Sequence, residues 1–586
     1  MRQRLIALLT AAALACAGAA CSSTKSSVVD EGESAAPSLL IVNGRVFGAV
    51  GADAVLIAGH HIRAVGSTER LAVLAPADIL RLDARGGWIV PGFNDAHSHL
   101  RSGGQALGEL SLDGMTTLDQ VLAAVKSYAT THPTRPWLTG RGWLYDIVPQ
   151  GSFPTRQQLD AVVADRPVVL EAYDGHSVWA NSQALKLAQI DARSVDPADG
   201  KIVRDADGKT PAGTLLENAG APLYDAMPEP DRATQRAILQ AALEHYLKLG
   251  ITSVEDFEHD PIAFELYAEL ASQSALPIRV SVSLPIEGNL DTYELLRQKY
   301  ATPFLRFGHV KGFVDGVVES KTAYMVSPYD FSGERGKPLI PPDRLFALVA
   351  AAHQRNFRVA LHCVGDGAVR LALDAYERAQ ASKHKPTLRH RIEHIEVVHP
   401  DDVPRFAALD VIASMMPYHA NPGGADPDAG VWSQNLGRDR LRHSFAWHDL
   451  LQAGAVLAFG SDWPVMSADP LWGLAVATTR QDERGFPPGG WNAQQAISAS
   501  AALSAYTLGS AISINRQHEL GRLAPGMLAD VVVLAPEVDI EKPSTLWRGE
   551  RVAAVIVDGQ LRLGPTTRSG TLPATTTTQP ASAPVR

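Results

Sequence analysis

Pro91-Gly92-Phe93-Asn94-Asp95-Ala96-His97-Ser98-His99-Leu100 reads as the end of a β-strand running into a loop. On an extended strand, residues two apart point to the same face, so His97 and His99 aim together. Imidazole is the commonest protein ligand for zinc. A lone His-x-His pair is still a weak signal, because surface histidines two apart arise by chance. Its weight depends on what the rest of the chain places around it.

Outward from this stretch, short apolar runs recur along the chain. They lie at 88–93, 251–256, 278–284, 309–315, 357–363, 390–398, 411–416 and 456–461. Amphipathic stretches separate most of them. One spans about 232–249, with Ile238, Leu239, Leu243, Tyr246 and Leu247 on one face. Another runs from Asp343 through Ala352, with Pro341-Pro342 as its start signal. Near-continuous apolar strands joined by helices indicate a parallel sheet. Eight of them indicate an α/β fold of the TIM (β/α)8-barrel type, whose active sites lie at the C-terminal strand ends, where His97 and His99 fall. The gap at about 102–227 is too long for a crossover and has its own strand signal, Pro167-Val168-Val169-Leu170-Glu171-Ala172-Tyr173. It is expected to be an inserted subdomain.

Both ends of the body read as β. Leu39-Leu40-Ile41-Val42-Asn43-Gly44 ends in a tight hairpin signal, and runs at 54–57 and 61–66 follow. The C-terminal region answers with runs at 529–534 and 552–559. A small β-sandwich built from both termini is the expectation, from residues 38–90 and 516–563, with the barrel at 91–515. Beyond it lie a tether at 21–37 and a Thr/Pro tail at 564–586, which contains the run Thr575 to Thr578 and has too few large apolar groups to order itself.

The first 20 residues read as an export signal: Arg2 and Arg4, an apolar run at 5–15 interrupted by Thr10, then small residues. The run is too short to span a bilayer. Gly18-Ala19-Ala20-Cys21 followed by a Ser-rich stretch resembles a bacterial lipoprotein signal, with Gly18 where Leu is usual. The resemblance implies lipidation at Cys21 and a membrane anchor on the exported face of the cell envelope. Of the three cysteines, Cys16 lies in the signal and Cys21 at the new terminus, leaving Cys363 alone in the body, so no internal disulfide framework is possible. The chain has 586 residues, 46% hydrophobic and 20% charged, with net charge -10. An acidic balance gives no reason to expect nucleic acid as a partner.

Further polar groups sit on the later strands, at or near their ends. They are Lys311 and Asp315 in the fourth, His362 in the fifth, His394 in the sixth and Asp462 after the eighth. Each alone has an ordinary reading, as an edge charge, a core histidine or a turn residue. Together the ordinary readings need repeated coincidences in strand order.

His-x-His on strand one, Lys on four, His on five and six, and Asp on eight, with a sandwich from both termini, resembles the amidohydrolase superfamily across about residues 38 to 563. Tyr173-Asp174-Gly175-His176-Ser177-Val178-Trp179-Ala180-Asn181, the Lys311 segment with Ser320-Lys321-Thr322-Ala323, Arg391 to His394, and Gly460 to Val465 narrow it to the amidohydrolase-3 branch, which includes N-substituted formamide deformylase-like proteins. Lys321 departs from the Arg more often found there.

The resemblance implies two divalent metal ions, with zinc the expected metal. His97, His99 and Asp462 would hold the first and His362 and His394 the second, with Lys311 carrying a CO2-derived carbamate that bridges them. It implies that Asp462 moves the proton while metal-activated water cleaves a small-molecule, non-peptide C–N bond of an amide, N-formyl group or cyclic amide. Two other readings stand beside it: a mononuclear deaminase of the same superfamily, and a catalytically silent, lipid-anchored binding protein.

Four residues are expected near substrate: His176, which has a surface-turn reading of equal weight, Trp143, Asp315 and His419. Arg391 is expected to pack behind His394, and Cys363, beside His362, to face away into the core. Loops at 102–227, 316–341 and 417–440 would set the substrate, which their residues do not spell out.

Overall fold

A computed structural model describes residues 37–565, except 150–151, 198, 331, 383–388 and 421–429. The signal, Cys21 and nearly all of the tether and tail lie outside the described residues.

Eight parallel strands form the central sheet: β1 (Phe93–Ser98), β2 (Ile251–Asp256), β3 (Arg279–Pro285), β4 (Leu305–Phe313), β5 (Arg358–Cys363), β6 (Arg391–His394), β7 (Ile412–Met415) and β8 (Leu457–Phe459). Sequence neighbours pair in parallel from β1 through β8. The sheet curls nearly closed, and the chain just past β8 joins it to β1. Asp462 N donates to His97 O at 2.7 Å, and His99 N donates to Trp463 O at 2.8 Å. Backbone at three predicted ligand positions, His97, His99 and Asp462, therefore fastens the barrel at its mouth.

The helix Arg232–Lys248 lies where the sequence period placed it. The Asp231 side chain accepts from Thr234 N and caps it. Leu239, Leu243 and Tyr246 are buried, while Ile238 and Leu247 are half-buried. The helix Pro342–Gln354 likewise starts at the proline signal. Cys363 is buried in the barrel's main apolar cluster, as expected.

One boundary differs from the sequence reading. The apolar run at 88–93 is two elements, not the first barrel strand. Trp88–Pro91 pairs with Arg45–Val46 and Val531–Leu534 in the sandwich, and the barrel strand begins only at Phe93. The join is Gly92, whose N donates to Asp530 O at 2.8 Å. A β-carbon there would run into the Thr252 side chain. The close approach lets the chain cross between sheets, and hydrophobicity alone does not reveal it.

The sandwich packs a four-stranded sheet from the N-terminal part on a five-stranded sheet built from both ends. Leu39, Ile41, Val55 and Ile57 of the first meet Val531, Val533, Ala554 and Ile556 of the second, alternate residues of each strand facing inward. Arg279, at the start of β3, ties it to the barrel through Asp530 (2.8 and 3.0 Å) and Asp558 (2.8 Å). The inserted segment forms its own six-stranded sheet between Leu110 and Glu217, with Trp143, Leu159, Leu170 and Trp179 among its core.

Candidate metal centre and substrate cleft

The six predicted ligands converge at the C-terminal mouth of the barrel. His97 closes β1, and His99 follows it at the N-cap of the helix Leu100–Ala106. Their ring centroids are 5.6 Å apart. The His394 ring lies 5.0 Å from that of His97 and 4.2 Å from that of His362. Asp462 Oδ1 is 3.2 Å from His99 Nε2 and 3.6 Å from His97 Nε2, and its Oδ2 is 3.8 Å from His394 Nδ1. Lys311 Nζ, 3.2 Å from His97 Nε2, completes the group.

Local backbone explains how β6 delivers its histidine. Arg391 and Glu393 share one face of the strand, and a continued strand would turn His394 away from them. Instead His394 (φ 72°) and Ile395 (φ 50°) adopt left-handed conformations, as does Asp462 (φ 58°). Non-glycine residues in this region are strained, and such strain gathers at functional sites.

The donor chemistry fits a divalent metal ion. The candidate donor atoms of His97, His394 and Asp462 all lie within 4.8 Å of one another, and all three residues are buried. Both ring nitrogens of His394 are buried without a hydrogen-bond partner, an arrangement that costs free energy unless something is bound. Burial holds His97, His362 and His394 well below the usual imidazole range, with the Lys311 charge adding to the effect. They are therefore neutral, with lone pairs free. Burial alone would raise the Asp462 carboxyl, but the hydrogen bond from His99 and the charges of His99 and His419 hold it far below the usual carboxylate range. Burial lowers the Lys311 amine to about 8. Its neighbours include the faces of Phe257 and Phe313.

Below the ligands is a support that the sequence reading missed. His97 Nδ1 donates to Glu393 Oε2 at 2.7 Å, which turns Nε2 toward the centre. Glu393 is held by Arg391 at 2.5 and 2.8 Å, and Arg391 also donates to Ala96 O (2.7 Å), Ser414 Oγ (2.6 Å) and Glu255. The alternation of Arg391 and Glu393 on a strand ending in a ligand was the available signal. Arg391 does pack behind the site, through this carboxylate.

Above the ligands opens a cleft of about 470 Å³. His362, His394 and Asp462 face it from the barrel, and Tyr145, Tyr173, Asp174 and His176 from the insertion. His176 is at the cleft rather than on an outer turn. Its ring is 5.7 Å from that of His362, and its Nδ1 donates to Glu217 at 2.7 Å. Burial opposes its charge, yet Glu217 and then Asp174 raise the imidazole to about 9. His419 also lines the cleft, 3.8 Å from Asp462 Oδ2 and 3.7 Å from Glu396 Oε1.

The other two expected substrate contacts lie elsewhere. Trp143 is in the insertion's core, where its Nε1 donates to Leu170 O at 3.0 Å; Tyr145, two residues on, reaches the cleft instead. Asp315 lies beyond the end of β4, fully buried. Its carboxylate accepts from the backbone N of Val364 (3.0 Å), Gly365 (2.9 Å) and Tyr324 (2.9 Å). The strand ends at Phe313, so Asp315 lies outside the fourth strand to which the run at 309–315 assigned it.

Fold and cluster together define a (β/α)8 barrel with a metal-ligand centre at its C-terminal mouth and a sandwich from both termini. The chain belongs to the amidohydrolase family, a group of metal-dependent hydrolases, whose Amidohydro_3 model matches residues 82–562. It is 31% identical over 518 residues to Protein LONG AFTER FAR-RED 3 of Arabidopsis thaliana, covering 85% of this chain and 87% of that one. It is 28% identical over 526 residues to the N-substituted formamide deformylase of Arthrobacter pascens, covering 87% and 95%. Among solved structures it resembles an uncharacterized metal-dependent hydrolase from Pyrococcus furiosus. That match has 25% identity and a TM-score of 0.64 and covers 86% of this chain and 100% of the other.

Proposed function

We propose that the protein hydrolyses a non-peptide carbon–nitrogen bond of a small molecule, of the amide, N-formyl or cyclic-amide class. The observation that carries this is the buried His97–His394–Asp462 donor group, with Lys311 beside it, opening on a closed-in cleft. The similarity to an N-substituted formamide deformylase supports the bond class.

In this reading His97, His99 and Asp462 would hold one zinc ion and His362 and His394 a second, and Lys311 would be carboxylated to supply a further anionic oxygen donor. Lys311 forms the carbamate when its neutral amine adds to CO2 and releases a proton, changing a cation that repels metal into an anionic oxygen donor. Bound zinc supplies Lewis acidity, which acidifies water and polarises a carbonyl oxygen. Asp462 accepts the proton of the attacking water and passes it to the departing nitrogen. Glu393 fixes the tautomer of His97. His176, protonated at neutral pH, donates from the cleft side to a substrate oxygen. The barrel wall and the aromatic residues of the insertion limit water around the reacting bond.

The test is turnover of N-formyl and N-acyl amines by protein prepared with zinc and bicarbonate, beside Asp462→Asn. The parent should release amine, and the variant should lose ~10³-fold in kcat while keeping its fold. Near-normal turnover by the variant would remove Asp462 from the proton transfer.

We also propose that the protein is exported and anchored by lipid on Cys21; the support is the charge, length and small-residue pattern of residues 1–21.

A further inference from the structure

The cleft has an unusual balance of charge. Among the described residues that line it are Asp146, Asp174, Glu319, Glu396 and Asp462, and no lysine or arginine. Asp462 belongs to the metal centre. Asp174 is taken up by Tyr145 OH at 3.0 Å and the His176 backbone N at 2.9 Å. Three carboxyls remain. Glu396 accepts from Trp432 Nε1 at 2.7 Å, Glu319 accepts from Tyr173 OH and keeps partial access to the cleft, and Asp146 is exposed at the rim.

These three act on one another. Burial, with the charges of Glu396 and then Asp146, raises the Glu319 carboxyl to about 8, so an ammonium group seated beside it would draw it back to the ionised form. His176 faces Glu217, and His419 sits between Glu396 and Asp462, so Glu396 is already balanced by a histidine and Glu319 and Asp146 are the carboxyls left to meet a cation. Beside the carboxyls stands an aromatic corner. The Trp432 ring stacks on Phe445 at 5.4 Å and meets Trp491 edge-on at 5.9 Å, and all three rings line the cleft. Carboxylates combined with ring faces attract an ammonium group and repel a carboxylate. This wall lines the same cleft as His394 and Asp462 of the metal centre, so it borders the space a substrate would occupy.

We propose that the substrate carries a cationic amino group on the part remote from the hydrolysed bond, seated between Glu319 and the Trp432–Trp491 corner. This rests on the hydrolase reading for the position of the bond, but its charge preference is measured by binding alone.

The probes are three N-formylbenzylamines with aminomethyl, ethyl or carboxymethyl at the para position. The aminomethyl and ethyl groups match in size and differ in charge, and the larger carboxymethyl group carries the opposite charge. Affinity for the zinc-loaded protein is measured by calorimetry at pH 7.5, and turnover is measured separately. The aminomethyl compound should bind at least about tenfold more tightly than the ethyl compound, and the carboxymethyl compound more weakly than either. In Glu319→Gln, checked by thermal melting, the ratio of aminomethyl to ethyl affinity should fall severalfold. Equal affinities, or preference for the carboxymethyl compound, would overturn the proposal whether or not any probe is hydrolysed. Charge-selective binding without hydrolysis of any probe or of the wider amide panel would support the proposal and count against the hydrolase reading instead.

Discussion

Single residues in this site divide by what their polar atoms touch. Asp315 was expected near substrate, but its oxygens accept three backbone N–H groups, two just past β5 and one in the loop after β4. Asp315→Ala leaves those donors buried without an acceptor and should cost about 3 kcal/mol, read as a lower unfolding midpoint in urea. The KM of the refolded variant should be unchanged; a raised KM at parental stability would return Asp315 to the substrate. Glu393 is the opposite case, a carboxylate with no place in the expected ligand set that orients one of its members. Glu393→Gln weakens its hold on both His97 and Arg391 and should lower zinc affinity by about tenfold or more, measured by competition with a chelator. Parental affinity would mean that His97 is positioned by packing alone.

At the level of elements, strand order was legible because the barrel strands are short apolar runs and several of them carry or lead into a chemically distinctive residue. The β4, β5 and β6 runs carry Lys311, His362 and His394, Asp462 follows β8, and the spacing of the runs along the chain left room for helices. The division at Gly92 was not legible, since Trp88 to Phe93 is apolar throughout. Only the partners of each half, Val531–Leu534 for one and β2 for the other, separate them. Gly92→Val should therefore cost about 1–3 kcal/mol through the clash with Thr252, seen as a drop in melting temperature. A variant as stable as the parent would show that the crossing has slack. The left-handed end of β6 was also invisible: nothing in Glu393-His394-Ile395 requires positive φ, and the convergence of His394 with His97 and His362 accompanies it.

The whole molecule is three modules around one mouth. The sandwich is tied to the barrel by Arg279, and the insertion supplies one cleft wall. The presence of an insertion was readable from its length. The wall it forms with Trp432, Phe445 and Trp491 was not, because those residues are far apart in sequence and ordinary as core aromatics. Where the molecule resides is tested separately: Cys21→Ser should move it from the membrane fraction to the soluble exported fraction, and retention on the membrane would refute the lipid anchor.

The central claim, a two-metal centre that depends on Lys311, is tested most directly by counting metal. Protein lacking residues 1–36, produced with zinc and bicarbonate, is analysed beside Lys311→Ala for zinc per chain. The account predicts close to two zinc ions in the parent and a clear loss in the variant. One ion or none in the parent, or a content untouched by removing Lys311, would contradict it.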